Sequence, residues 1–438
     1  MHITRKKFNY PHYRQGLLAR IGRTVTATAL ISAALVSINA ESANHANNTD
    51  WVGTWGASPK SAEEFLFPPA PTPLVFGNQT IRMVARISKG GTQVRVRLSN
   101  TFGTEPLVIG SAHVALHNGG GVIVDGTDRA LTFGGSPSVT IPIGAPALSD
   151  PVDFDIPDLA ELAISIYLPE PTIGRTVHQL GVQTAYVSSV GDYTDAISFV
   201  PEATSLMRFF LSGVDVLADK NTKAVVTLGD SITDGYNSTV DANNRWPDQL
   251  AERLSDAPRN RKLAVVNEGI SGNRVLNNVV GPNGLSRFDR DIVAQTGVTF
   301  VTVLLGINDI GFSAFLPAQA VSADQIINGY RQLIDRAHAK CVKIIGATLT
   351  PFEGAGYYTE EGEAKRQIVN DFIRNSGEFD AVIDFDLAIR DPEHTKQMLL
   401  EYDSGDHLHP SDAGYDAMAN SIDLKIFDQP LRDCVAAN

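Results

Sequence analysis

The chain has 438 residues, 43% hydrophobic and 19% charged, and carries 49 acidic against 36 basic side chains for a formal net charge of −13. A chain this apolar and weakly charged is not disordered, its length suits roughly two or three domains each with its own core, and its acidic balance argues against a nucleic-acid surface. Two cysteines, Cys341 and Cys434, make at most one bridge and no Cys-rich zinc site.

Residues 1–40 contain Arg5, Lys6, Lys7, Arg14, Arg20 and Arg23 and no Asp or Glu, and they end in an apolar stretch over 24–40 rich in Ala, Thr and Ser. A basic segment, a moderately apolar segment and a closing small residue form the pattern of a signal peptide, which predicts a secreted or periplasmic protein with no stable membrane insertion once the signal is removed. At 17 residues the apolar stretch is short for a membrane span, which takes about 20. Thr4-Arg5-Lys6-Lys7-Phe8 resembles a twin-arginine signal except that Lys replaces the second Arg, so Sec and Tat export both stay open. Without residues 1–40, 30 basic side chains face 49 acidic ones, a charge near −19. Export would permit a Cys341–Cys434 disulfide; two lone small core residues are the alternative.

Over 51–200 the pattern is short alternating runs broken by Gly, Pro and Asp. Val94, Val96 and Leu98 alternate with Gln93, Arg95 and Arg97, which predicts a strand with one apolar face and one solvated cationic face. Residues 81–87 form a preceding strand joined to it through Lys89-Gly90-Gly91-Thr92, read as a hairpin turn. Further strands are expected at 112–116, 138–143, 163–168 and 182–188. Short strands without a clear helix predict an all-β module of sandwich or jelly-roll type. Residues 195–222 carry little pattern, and no fixed-period repeat is present.

From 222 to 438 the rhythm changes to strand then helix. Residues 224–228, 300–305, 342–349 and 381–385 read as strands. Trp246, Leu250 and Leu254 mark a helix; Ser322 and Gln325 form a capping box before a helix with Ile326, Tyr330, Leu333, Ile334 and Ala337 on one face. Another helical segment carries Ile368 and Phe372, and Ser411 caps a last helix with Tyr415, Met418, Ala419 and Ile422. Such alternation predicts right-handed βαβ units, a parallel sheet with helices on both faces, and a site at the carboxyl ends of its strands.

Three short segments stand at those strand ends. Gly229-Asp230-Ser231-Ile232-Thr233-Asp234-Gly235 places Ser231 on a turn at a helix start, where developing negative charge is favoured; by itself such a triplet also marks an ordinary turn. Gly306-Ile307-Asn308-Asp309 brings a side-chain amide to the same rim, either as an oxyanion donor or as a helix cap. Asp406-His407-Leu408-His409-Pro410 offers a carboxylate and an imidazole three residues apart, able to take a serine proton.

Together these segments resemble the SGNH, or GDSL-type, serine hydrolase family. The family's first block looks like residues 229–235 with Ser231 as nucleophile; its second resembles Asn267-Glu268-Gly269-Ile270-Ser271-Gly272-Asn273, with Gly272 as a backbone oxyanion donor. The third is similar to residues 306–309 with Asn308 as the side-chain donor, and the fifth to residues 406–410 with Asp406 and His409 completing a triad. Four blocks in order cover about 200 residues, from 224 to the C-terminal helix. The resemblance implies a flavodoxin-like, three-layer α/β/α hydrolase domain over 222–438 behind the all-β domain. It implies a carboxylic ester hydrolase working through an acyl-enzyme, with an oxyanion hole of Ser231 N–H, Gly272 N–H and Asn308 Nδ2 and with neither cofactor nor metal. His407 then reads as a loop residue.

The ester could be a short acyl or acetyl ester, on a small molecule or a polysaccharide. Alternatives are a lipase or aryl esterase acting on longer chains, with Val275, Leu276, Val279 and Val280 as acyl-pocket candidates or core residues. A non-catalytic glycan-binding protein would be expected to lack one of Ser231, Asn308, Asp406 or His409. A metal site built from Asp403, Asp406, His407, His409 and Asp412 would leave the serine segment without a role. The N-terminal half resembles the β-rich extension of some secreted bacterial members of the family, notably in Trp51-Val-Gly-Thr-Trp55 and in residues 97–103. It either binds glycan or covers and shapes the catalytic half. Oligomeric state is not legible.

Overall fold

Period-two alternation is plain in the strand Gly91–Ser99, where Val94, Val96 and Leu98 are buried between partly exposed neighbours. The computed structural model describes residues 49–64, 73–257 and 262–428, so the expected signal over 1–40 and Cys434 lie outside the described residues. Two larger antiparallel sheets, accompanied by three small ones, make up most of the first part. One orders Thr49–Gly56, Leu211–Asp219, Gly91–Ser99 and Pro146–Leu148, with Val152–Ile156 also on Gly91–Ser99; the other orders Pro201–Ser205, Ala185–Val190, Gln79–Arg86, Glu161–Leu168, Ser111–Leu116 and Arg129–Ala130. Their buried aliphatics, including Ile81, Met83, Val96 and Ile164, join one hydrophobic cluster that continues into the second half through Val226, Val266 and Val301.

Two expectations fail here, for reasons of tertiary contact. The hairpin around Gly90 and Gly91 does not form: Gln79–Arg86 pairs with Glu161–Leu168 and Ala185–Val190, whereas Gly91–Ser99 pairs with Leu211–Asp219 in the other sheet. Residues 87–90 cross between the sheets because Ile87 is buried, Ser88 Oγ donates to Val265 O at 2.8 Å, and Gly90 lies where any Cβ would collide with the backbone of residues 156–158. The arginines of Gly91–Ser99 are not a solvated face either. Arg95 Nε donates to Asp215 Oδ2 at 3.0 Å beneath a cation–π contact with Trp51, and Arg97 Nη1 donates to Gln295 Oε1 at 3.0 Å, across to the second half. The weakly patterned stretch before 222 in fact contributes Leu211–Asp219, a central strand whose alternation is broken by a register shift between Leu211 and Gly213.

The second half is a five-stranded parallel sheet in the order Leu263–Gly269, Lys223–Gly229, Val298–Leu304, Lys343–Ala347, Ala381–Ile383. Numbered along the chain this is 2-1-3-4-5, the flavodoxin-like order. Helices cover both faces: Trp246–Ser255 packs with Asp412–Ser421, and Ala323–Ala339 packs with Glu360–Asn375 and Lys343–Ala347. Ser322 Oγ accepts from Gln325 N and Ser411 Oγ from Gly414 N, capping the two helices as expected. The three-layer α/β/α domain and the all-β region before it are therefore both present, within one compact unit of residues 48–438. Among the described residues no helix is long and apolar enough to cross a membrane. Cys341 is disulfide-bonded, and the chain's only other cysteine is Cys434.

Candidate active site

In a 2-1-3-4-5 sheet the chain leaves strands one and three in opposite directions, and the crevice between their carboxyl ends is where ligands bind. Ser231 follows the first of these strands and Asn308 the second. Lys223–Gly229 ends at Asp230, whose carboxylate caps the one-turn helix Ser231–Asp234 by accepting from Ile232 N at 3.1 Å. The turn closes through Gly235 at φ +99°, a left-handed conformation, with its N–H on Ser231 O at 2.8 Å. Ser231 is thereby held by backbone geometry on both sides.

Its hydroxyl faces the last loop. Ser231 Oγ lies 2.7 Å from His409 Nε2, and His409 Nδ1 lies 2.6 Å from Asp406 Oδ2. Because a carboxylate only accepts, Nδ1 carries the hydrogen and Nε2 is left with a lone pair toward the Ser231 hydroxyl. Asp406 also accepts from the N–H groups of Leu408 and His409 through Oδ1 and from Asn237 Nδ2 at 3.1 Å. Partial burial would raise its pKa, but the His409 hydrogen bond and charge together with those N–H bonds overcome this and hold the carboxyl well below the ordinary range. The Tyr236 ring packs on the His409 ring at 4.4 Å and is 40% exposed, forming the outer wall of the dyad.

Asn308 sits in the first turn of Ile307–Gly311, buried. One Nδ2 hydrogen bonds Asn273 O at 3.1 Å, Oδ1 accepts from Tyr357 O–H at 3.2 Å, and the second Nδ2 hydrogen remains for another acceptor. Gly272 adopts φ +78°, and a Cβ there would press on Val280. The N–H groups of Ser231 and Gly272 have no acceptor among the described residues. Of the aliphatic pocket candidates, Val275 is core, Leu276 lies against Gly329, and Val280 abuts the Gly272 turn.

The acidic and imidazole groups of the last loop sort into separate pairs. His407, at φ +60° and outward-facing, bonds Asp403 at 2.6 Å; Asp412 accepts from Thr239 and Asn244; Asp406 serves His409. Among the described residues no group of three or more His, Cys, Asp or Glu is placed to hold a metal ion.

Sequence reasoning did not find the groups that hold these side chains in place. Arg287 is fully buried and donates to Gly229 O (2.9 Å), Glu268 O (2.7 Å), Asn273 Oδ1 (3.0 Å) and Ser58 Oγ (2.9 Å), tying the strand that leads into Ser231 to the Gly272 turn. Asp309 accepts from the N–H groups of Val275 and Leu276, and burial pushes its carboxyl up to about 6. Tyr236 and Asn237 follow Ser231 closely enough to have been considered; Tyr357 and Arg287 lie far from any motif and left no local signal.

A GDSL-like lipase/acylhydrolase family model matches residues 227–417, spanning Ser231, Gly272, Asn308, Asp406 and His409. Residues 227–417 are a GDSL-like acylhydrolase domain. Among solved structures, a catalytic mutant of an acetylxylan esterase from Geobacillus stearothermophilus is 23% identical over 45% of this chain and 91% of its own, with a TM-score of 0.37. A GDSL-like lipase from Bacteroides thetaiotaomicron is 20% identical over 48% and 90%, with a TM-score of 0.36. No curated protein matches. This GDSL-like enzyme is a carboxylic ester hydrolase whose catalytic domain is preceded by a β-rich region.

Proposed function

We propose that the enzyme is an exported esterase that cleaves short-chain acyl or acetyl esters, on small molecules or carbohydrates, through an acyl-enzyme on Ser231. The observation that carries this reading is the relay from Ser231 Oγ to His409 Nε2 at 2.7 Å and from His409 Nδ1 to Asp406 at 2.6 Å. His409 takes the serine proton as Oγ bonds the carbonyl carbon; Asp406, held ionised, balances the imidazolium. The developing oxyanion takes its hydrogen bonds from Ser231 N–H, Gly272 N–H and the free Nδ2 hydrogen of Asn308. His409 then protonates the departing alcohol, and water repeats the sequence on the acyl-serine to release acid and free Ser231.

Val280, whose side chain lies beside the Gly272 turn, is the acyl-side residue in this reading. Tyr236, exposed beside His409, supports an alcohol moiety that stacks on an aromatic face. Export is supported by the cationic leader and by the disulfide at Cys341, a bond suited to an oxidising compartment. Initial rates on p-nitrophenyl acetate, butyrate and octanoate and on an acetylated oligosaccharide, with Ser231→Ala as control, test the reading. Rates falling with chain length and vanishing in Ser231→Ala are expected; no hydrolysis by folded protein, or activity retained by Ser231→Ala, overturns it. The mass of the mature protein tests signal removal.

A further inference from the structure

Gly272 contributes only a backbone N–H, so its effectiveness depends wholly on the orientation of the peptide plane between Ser271 and Gly272. That plane belongs to a turn at φ +78°, which must be held from both sides. On the Asn273 side, Asn273 N bonds Ile270 O at 3.0 Å and the Asn273 side chain is gripped by Arg287. On the Ser271 side the anchor is a single carboxylate: Asp234 Oδ2 accepts from Ser271 N at 2.8 Å. Asp234 is the last residue of the nucleophile turn, so one side chain joins the turn bearing Ser231 to the turn bearing Gly272.

Asp234 is itself buried, and a buried carboxylate keeps a fixed position only if its other oxygen is paired. The partner comes from the β-rich region. His178, in the strand Thr176–His178 between Lys60–Ser61 and Arg208–Phe209, places Nε2 2.9 Å from Asp234 Oδ1 and Nδ1 3.1 Å from Ser58 O. His178 is also buried, and its imidazole is braced by the backbone on either side of it, at Ser58 O and Leu180 O.

We propose that His178 of the β-rich region is a positioning residue for ester hydrolysis, acting through Asp234 and Ser271 to aim the Gly272 N–H at the oxyanion. The β-rich region is then a structural part of the catalytic apparatus rather than a cover over it. This rests on the oxyanion role given to Gly272 above. Loosening an oxyanion donor weakens the transition state more than the bound ester, so the loss falls on kcat and leaves KM nearly unchanged.

The test compares wild type with His178→Asn, whose amide still reaches Ser58 O but is too short for Asp234, and His178→Gln, whose amide reaches the position of Nε2. On p-nitrophenyl acetate His178→Asn is expected to lose about tenfold or more in kcat with KM within about twofold, and His178→Gln to recover most of the loss. Amide hydrogen exchange gives a readout independent of chemistry: Ser271 exchanges faster in His178→Asn and at the wild-type rate in His178→Gln. Should His178→Asn not fold, Asp234→Asn, which keeps one acceptor but not the charge, is expected to give the same fall in kcat and faster Ser271 exchange. Folded His178→Asn with wild-type kcat and Ser271 exchange overturns the proposal. So does equal loss in His178→Asn and His178→Gln with Ser271 exchange unchanged. Failure of the esterase reading itself is seen separately, as wild-type protein no more active than Ser231→Ala.

Discussion

Replacing Asn308 by Ala separates a catalytic use of the amide from a structural one. Its Oδ1 and one Nδ2 hydrogen are already committed, to Tyr357 O–H at 3.2 Å and Asn273 O at 3.1 Å, so the side chain is oriented before any substrate arrives. The second Nδ2 hydrogen is the one left for the proposed oxyanion. Removing one preorganised oxyanion donor costs about 10²–10³ in kcat, or about 2.7–4 kcal/mol of barrier. The same substitution leaves the buried Tyr357 hydroxyl and Asn273 carbonyl unpaired, which costs about 1–3 kcal/mol of stability for each group. Both effects are expected, and denaturant unfolding beside initial rates on p-nitrophenyl acetate measures them separately.

Asn308→Asp makes the experiment decisive. Aspartate keeps the acceptor for Tyr357 and nearly the same shape, but it faces the developing oxyanion with a lone pair or a charge instead of a donor. Asp cannot donate to Asn273 O as the amide does, so only the Tyr357 contact survives the change; if Asn308 served only to pair Tyr357 O–H, Asp should outperform Ala in both stability and turnover. If it donates to the oxyanion, Asp is no better than Ala in kcat. A folded Asn308→Ala enzyme within about threefold of wild-type kcat, against the 10²-fold scale for such donors, would refute the reasoning.

What was legible in the sequence follows from which interactions are local. Asp230, Ser231 and Gly235 make one turn; Asp406 and His409 make another, with Asp406 accepting from the His409 backbone as well as its ring. Each unit carries its geometry within a few residues, so spacing alone could expose it. The parallel strands were readable for a related reason: strands buried on both faces are continuous apolar runs whatever their neighbours. Leu211–Asp219 was missed because its apolar pattern is interrupted at Ser212 and Gly213, where the register shifts against Gly91–Ser99. The crossing at residues 87–90 and the pairing of Arg97 are set by Val265 and Gln295, nearly two hundred positions away, and no local preference encodes them. Arg287 is the extreme case: a charged residue inside a short helix has no buried signature until Ser58, Gly229 and Asn273 are brought around it.

Three further outcomes follow from buried charge. Arg287→Met breaks the contacts with Gly229, Glu268, Asn273 and Asp291 at once and should lower unfolding free energy by about 3–5 kcal/mol in denaturant titration; a change below about 1 kcal/mol would contradict its role as a tie. EDTA treatment should leave ester hydrolysis unchanged, because Asp403 and Asp406 are each engaged by a different histidine; activity lost to EDTA and restored by a divalent ion would reverse the acid–base assignment. Asp230 supplies the pH-dependent case. Burial, reinforced by the charges of Asp309 and Asp234, pushes its carboxyl up to about 7 despite the Ile232 N–H bond, and its Oδ2 has no hydrogen-bond partner among the described residues. In the unfolded chain it titrates near the ordinary value of about 3.9. Below that pH both states are protonated; between there and about 7 the unfolded state has lost a proton that the folded state keeps, so rising pH removes stability; above about 7 both are ionised and the loss is complete. Asn at position 230 retains an oxygen to cap Ile232 N and cannot ionise. Asp230→Asn should therefore gain stability relative to wild type progressively from about pH 4 to pH 7 and level off above it, as followed by melting temperature across that range. A difference that stays flat with pH would mean that the folded protein holds Asp230 ionised throughout, with its charge balanced by Arg287 rather than removed by a proton.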